Sequence, residues 1–234
     1  MRAAKRQVGT ALRADAERNR ERIVLAARRL YASEGLRISM SAVAREAGVG
    51  KATLSRHFSS PQELIDAVFA DRMDAYVEAT AEALAQDDPW SGFVRFIWTV
   101  CEMQARDRGF ADVLALSLPT GAAVEELRAK AYDAFSEIIA RAKATGYLRG
   151  DFESEDLVVL LMANAGVISA TAEDAPDSWR RLVGQILRGY ASPDAPLPPP
   201  PAAPSSTELY RAMARASGRN LPRATDVRRS ARRP

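Results

Sequence analysis

The chain has 234 residues, with 33 Lys+Arg against 30 Asp+Glu, one His and one Cys. One His (His57) and one Cys (Cys101) allow no His/Cys zinc site, no intrachain disulfide, and no catalytic triad outside the reach of His57. The small net charge of +3 hides an uneven distribution: residues 1–60 carry 13 basic and 5 acidic side chains, residues 61–192 carry 12 and 22, and residues 193–234 carry 8 and 3. A basic head joined to an acidic body points to a polyanion as the partner of the head.

Ala, Leu, Arg and Glu dominate, and strand-like alternation of Val, Ile and Thr is nearly absent, so the expectation is an all-α chain. The first helix is expected from about Asp15 to Ser33, because Ile23, Ala26, Ala27, Leu30 and Tyr31 share one face. Gly35 suits its end. Residues 1–14 read as a basic flexible arm bearing Arg2, Lys5, Arg6 and Arg13. A short helix over Ser39–Ala47 and another over Lys51–Phe58 flank Gly48-Val49-Gly50.

Ser60, Pro61 and Glu63 form a cap, first-turn proline and capping-box partner. They open a helix to about Gln86, which would be about 39 Å long at 1.5 Å per residue. Asp88-Pro89 repeats the signal and opens a helix to about Arg106. Further helices are expected near Phe110–Ser117, from Ala122 to Thr145, from a cap at Ser154 to Thr171, and from Pro176 to Tyr190. Seven of the thirteen prolines then fall between Pro193 and Pro204, which reads as a polyproline-like linker. Residues 207–216 could form one or two transient turns, and the Arg-rich end reads as a disordered basic tail. The divisions are therefore 1–14 arm, 15–60 head, 61–192 body and 193–234 linker and tail. The N-terminus has no apolar secretory region, and no run of about 18 apolar residues stands out, which predicts a cytoplasmic protein without a membrane span.

The two short helices around Gly48 have the requirements of a helix-turn-helix. Ala44 and Gly48 are small where the helices cross, and Val43, Val49 and Leu54 are apolar. Lys51, Thr53, Ser55, Arg56 and His57 give the second helix a donor-rich outer surface. The stretch RIVLAARRLYASEGLRISMSAVAREAGVGKATLSRHFSSPQEL, residues 22–64, resembles the DNA-binding domain of the tetracycline-repressor (TetR) family of bacterial regulators. Its I-x-x-A-A-x-x-L-Y-x-x-x-G, S-x-x-x-V-A-x-x-A-G-V and T-L-x-x-H-F segments carry the resemblance.

The resemblance implies a homodimeric, nine-helix, ligand-responsive transcription factor, most often a repressor. It assigns Ser39 to helix capping and phosphate contact, and Ser41 to base or phosphate. Lys51 and Ala52 face base edges, Thr53 and His57 hold the backbone, and Arg56 meets base or phosphate. Two residues depart from the family pattern. Ser55 stands where a Tyr is usual, so Ser55 offers less contact surface, and Pro61 stands where a Lys is favoured. The arm's cations are expected to offset that loss by reaching the neighbouring groove or phosphates.

In the body, Leu157, Leu160, Leu161, Val167, Ile168, Trp179, Leu182, Val183, Ile186, Leu187 and Tyr190 are candidates for a dimer interface made by the last two helices. Trp90, Phe93, Ile97, Trp98, Met103, Phe110, Leu114, Tyr132, Phe135 and Met162 are candidates for an apolar effector pocket. No cofactor, metal or catalytic residue is expected. The expected partners are a palindromic double-stranded operator, a second copy of the chain and a small apolar effector. A helical small-molecule binder or adaptor without specific DNA binding is the alternative.

Overall fold

A computed structural model describes the backbone of residues 2–115 and 121–217, and the side chains of these residues except 2–14, 108 and 115. Ten helices occur among the described residues: α1 (Arg2–Glu34), α2 (Met40–Glu46), α3 (Lys51–His57), α4 (Pro61–Leu84), α5 (Pro89–Arg106), α6 (Arg108–Ala115), α7 (Ala122–Ala144), α8 (Ser154–Thr171), α9 (Ser178–Tyr190) and α10 (Ser206–Ala216). An isolated antiparallel bridge between Leu148 and Ala191 is the extended pairing found among them. The all-α expectation is borne out.

The caps explain most boundaries. Ser39 Oγ accepts from Ala42 N, Ser60 Oγ from Glu63 N, and the Asp88 carboxylate from Trp90 N and Ser91 N. Each fills an orphan donor of a first helical turn. The reciprocal half of the box at Ser60 differs from expectation. Glu63 Oε2 accepts from the backbone and hydroxyl of Ser59, one residue further out. Glu153, not Ser154, is the N-cap of α8, with Glu153 N donating to Asp156 Oδ2 at 2.8 Å.

Two differences are larger. Helix α1 extends back to Arg2, so the backbone of 2–14, expected as a flexible arm, is helical. This follows from a run rich in Ala and Arg and without proline. After α9 the proline segment is not a free spacer. It lies against the body and leads into α10, an eleven-residue helix with a capping box between Ser205 and Glu208. Residues 218–234, expected as a disordered tail, lie outside the described residues.

The head and body share one core. Ile23, Ala26, Ala27, Val43, Ala44, Leu54 and Phe58 are buried in the head. Tyr31 of α1 stacks on Phe69 of α4 at 5.9 Å, and Phe69 on Phe110 of α6 at 6.3 Å. This ring column joins α1 to the body. Helix α4 packs along α7 and α5, and α8 lies against α5, α6 and α9. Helix α8, with a mean hydropathy of 1.3, is long and apolar enough to cross a membrane, yet little more than a quarter of it is buried. Ser154–Asp156 and Asn164 interrupt its apolar run, so it holds no unbroken apolar stretch of about 18 residues.

Candidate nucleic-acid interface

The helix-turn-helix is built on a turn that α1 holds from outside. Helix α2 ends at Ala47, and Val49 N donates back to Ala44 O at 3.0 Å while Gly48 N donates to Arg45 O at 3.1 Å. Gly48 sits at φ +63°, the left-handed conformation that closes a helix C-terminus and that a Cβ disfavours. Arg22 Nη2 of α1 donates to Ala47 O at 2.7 Å and to Gly48 O at 3.3 Å. A guanidinium on the last carbonyls of a helix satisfies orphan acceptors and complements the dipole. Arg22 thus clamps the turn that sets the angle of α3. Sequence periodicity cannot find it, because its partners are backbone atoms 25 and 26 residues away.

Val43, Ala44 and Leu54 are buried and Val49 is half-buried against the core, so the crossing of α2 and α3 is fixed by apolar packing. Phe58 caps α3 with its N–H on Leu54 O and is buried, with the Arg20 guanidinium 5.3 Å from its ring centre. The opposite face of α3 is open. Lys51, Ala52, Ser55 and Arg56 are exposed, and Thr53 and His57 are half-buried along the helix margin. Ser39 and Ser41 are exposed at the start of α2, with the Ser39 hydroxyl engaged in its cap. All eight candidate residues lie on two consecutive short helices or, for Ser39, at the N-cap of the first, four of them on the exposed face of α3. The arrangement offers cations and hydroxyl donors at the front of a helix whose back is locked.

Residues 23–68 match the family described as bacterial regulatory proteins, tetR family. Residues 88–191 match the family described as the C-terminal domain of SbtR-like transcriptional regulators. The chain belongs to the tetR family. An HTH-type transcriptional regulator of Staphylococcus aureus is 39% identical over 67 residues, covering 28% of this chain and 36% of that protein. The chain thus spans about a third of the length of the curated relatives it matches. Transcriptional regulator FadR from Bacillus subtilis, solved in complex with stearoyl-CoA, is 16% identical with a TM-score of 0.55 over 74% of this chain and 97% of FadR. Mycobacterium smegmatis AmtR is 21% identical with a TM-score of 0.52 over 87% and 96%. These two likenesses concern the fold. The two matches make residues 23–68 a tetR-type helix-turn-helix domain and residues 88–191 a domain like the C-terminal part of SbtR-like regulators.

The body's candidate residues fall into separate places. Trp90, Phe93, Ile97, Phe110 and Phe135 are buried, and Phe93 meets Phe135 at 6.4 Å and Phe152 at 5.3 Å. Trp98, Met103 and Leu114 lie at the edge of the core. Tyr132 and Met162 are 55% and 54% exposed, so the structure does not bring these two together with the others. Of the interface candidates, Leu157, Leu160, Leu161, Trp179, Val183 and Leu187 are buried within the chain. Val167, Ile168, Leu182, Ile186 and Tyr190 are half-buried. The open face of α8 carries instead Val158, Val159, Met162, Ala163 and Gly166. Beside it lies a groove of about 480 Å³ lined by Phe152, Val159, Ala163, Ile186 and Tyr190.

Two buried amides stand in the same core. Asn164 Nδ2 of α8 donates to Gln104 Oε1 at 2.9 Å and to Cys101 O at 3.2 Å, and Gln104 Nε2 of α5 donates to Leu161 O at 3.3 Å. Asn164 Oδ1 is buried without a partner. Burial pushes the Cys101 thiol up to about 12, so it is held as the unreactive thiol.

Proposed function

We propose that the chain is a repressor that binds a palindromic operator as a homodimer and is released by a small, mostly apolar effector, with no catalytic activity of its own. The observation that carries the reading is the open face of α3, where Lys51, Ala52, Ser55 and Arg56 face solvent from a helix locked behind by Leu54 and by the Arg22 clamp. Lys51 and Arg56 supply donors for guanine edges or phosphates, while Ser39, Ser41, Thr53 and His57 supply backbone contacts. With Ser55 in place of a larger side chain, contact at that position is small.

The open stripe of Val158, Val159 and Met162 on α8, beside α9, supports a two-fold interface of four helices. An 18-residue apolar helix of which little more than a quarter is buried needs a second partner, and a second copy of the chain supplies one in the cytoplasm. The interior around Phe93 and Phe135 is aromatic, so an effector entering there parts stacked rings and is itself apolar. Stearoyl-CoA, the ligand of a neighbour of the same fold, is a suitable first compound to try. An effector that prefers the state with the wrong separation of recognition helices weakens operator binding by its differential affinity.

Lys51→Ala with Arg56→Ala tests the reading by gel shift on an operator selected in vitro with the full chain. Specific binding should fall by at least tenfold, since each base contact contributes about 1–3 kcal/mol, while the dimer persists. Retained specific affinity overturns the assignment of α3. Val159→Glu with Met162→Glu should yield a helical monomer in light scattering, and an intact dimer would refute the interface.

A further inference from the structure

The segment after α9 is a strap laid against the body. Between Ser192 and Ser205 it holds seven prolines, four of them consecutive from Pro198 to Pro201. Proline has no N–H, so this stretch offers carbonyls as its backbone hydrogen-bonding groups and joins no helix or sheet ladder. Three of those carbonyls meet donors of the body. The Trp90 indole donates to Pro196 O at 3.0 Å, Arg188 Nη2 to Pro198 O at 2.6 Å, and Arg181 Nη1 to Pro201 O at 2.7 Å. Trp90 belongs to α5 and the two arginines to α9, so both helices make the seat.

The spacing of the donors suits an extended polyproline segment. Arg181 and Arg188 stand two helical turns apart on α9, about 10.5 Å. Pro198 and Pro201 stand one polyproline turn apart, about 9.3 Å, so their carbonyls leave the same side of the strap. The pairing of 188 with 198 and of 181 with 201 makes the strap antiparallel to α9. Between the two arginines lies buried Gly184, where a Cβ would stand 2.8 Å from Pro201 Cδ, so the close approach requires glycine. Beside it Trp98 and Leu187 face Leu197, leaving a gap of about 10 Å³, the least that holds one water. All three tryptophans of the chain stand on these two helices, with Trp98 edge-on to Trp179 at 6.2 Å.

A groove with an indole wall, a glycine floor and a row of N–H donors is the complement of a preformed polyproline helix. Such a ligand loses little chain entropy on docking, and its carbonyls and rings present the same pattern at every turn. All three bonds go to strap backbone, so they read the path of the chain and not a particular set of side chains. Leu197 adds an apolar contact with the core. A proline-rich segment of another chain can present the same carbonyls to the same donors.

We propose that the groove between α5 and α9 is a recognition site for polyproline segments, which holds the chain's own strap and takes a proline-rich segment of a partner protein in its place. A short tether gives the strap an effective concentration on the order of mM, so the intrinsic Kd of a docked strap lies below about 1 mM, and a partner's segment enters by competing with it. The test uses the full chain with Pro198, Pro199, Pro200 and Pro201 each changed to Gly, which keeps every groove residue and undoes the preformed helix of the strap. Binding is read by anisotropy of three dye-labelled peptides of equal length: residues 192–205, an oligoproline and a Gly-Ser repeat. The first two should bind saturably with Kd below about 1 mM, and the parent chain should bind them at least tenfold more weakly. The Gly-Ser peptide should not bind. Adding Arg181→Ala and Arg188→Ala to the glycine-bearing chain should weaken both proline peptides by at least tenfold. If circular dichroism shows the glycine-bearing chain unfolded, Leu197→Ser with Pro201→Ala loosens the strap more gently, and the same order of affinities is expected. The proposal is overturned if the strap peptide does not bind, if it binds and the oligoproline does not, if the Gly-Ser peptide or the parent chain binds equally well, or if loss of the two arginines changes nothing.

Discussion

Asp112 Oδ2 of α6 accepts the backbone N–H of Leu36 at 2.9 Å. The bond joins the body to the loop between α1 and α2, which carries the helix-turn-helix. It is a polar tie across this boundary, in parallel with the stacked rings of Tyr31, Phe69 and Phe110. Asp112→Ala should cost about 1–3 kcal/mol, the range for a charge-assisted bond whose partner is left behind. It should also raise hydrogen exchange at Leu36 while leaving α8 and α9 protected. Unchanged exchange at Leu36 would show that this bond does not hold the boundary.

Gly48 has φ +63°, and a Cβ there would lie 2.9 Å from Arg22 Nη2. Gly48→Ala therefore strains the backbone and crowds the clamp. A loss of about 1–2 kcal/mol is expected, with a fall in Tm of about 2–4 °C for each kcal/mol in a chain of this size. Arg22→Ala should cost less in stability than in operator affinity, since it frees the turn that aims α3. Calorimetry and gel shift on the two variants check the ordering.

The Gln104–Asn164 pair predicts non-additivity. Asn164→Ala leaves Gln104 Oε1 without its donor at the centre of the core and should cost about 1–3 kcal/mol. Replacing both with Leu removes the polar atoms of the pair, including the orphan Asn164 Oδ1, and should cost less than either single change or stabilise the fold. A double-mutant cycle in urea measures the coupling, and simple additivity would refute it.

Alkaline pH should unfold the chain through its buried hydroxyls and thiol. Burial pushes Tyr31, Tyr76 and Cys101 up to about 12, from ordinary values of 10.0, 10.0 and 9.0. The fold holds the protonated forms while the unfolded chain ionises, so their contribution is whole below about pH 9 and is lost as pH rises toward 12. The acid side has the opposite sign. The Ser91 hydroxyl holds the Asp88 carboxyl below its usual range, so that cap's contribution is lost as pH falls through the lowered value. Urea midpoints should fall at both ends, and Tyr76→Phe should flatten the alkaline limb. A midpoint that stays constant up to about pH 11 contradicts the assignment.

Legibility in the sequence follows the range of each interaction. Ser39, Ser60 and Asp88 act within three residues of themselves, and the starts of α2, α4 and α5 are readable to within a residue. The exposed face of α3 is readable because Leu54 fixes what faces inward. Arg22 is not, since a side chain clasping backbone 25 residues away leaves no periodic trace. Helix α8 reads as apolar on nearly every side, so its pattern does not tell its open residues from its buried ones. Leu160 and Leu161 separate from Val158 and Val159 only once α5, α6 and α9 are in place. The strap escapes for another reason: its carbonyls accept from Trp90, Arg181 and Arg188, and a carbonyl has no sequence signature.

That strap also orders events in time. Its seat lies between residues near Trp90 and residues near Arg188, and the seat exists only after α5 and α9 have met. Pairings over more than 100 residues close late because loop entropy opposes them until the rest of the core compensates. During synthesis the head and α4 can fold early, while the far side of the body waits for the last residues to emerge. A nascent chain halted before Pro196 therefore lacks the carbonyls that Trp90, Arg188 and Arg181 bind, and leaves that flank of the body uncovered.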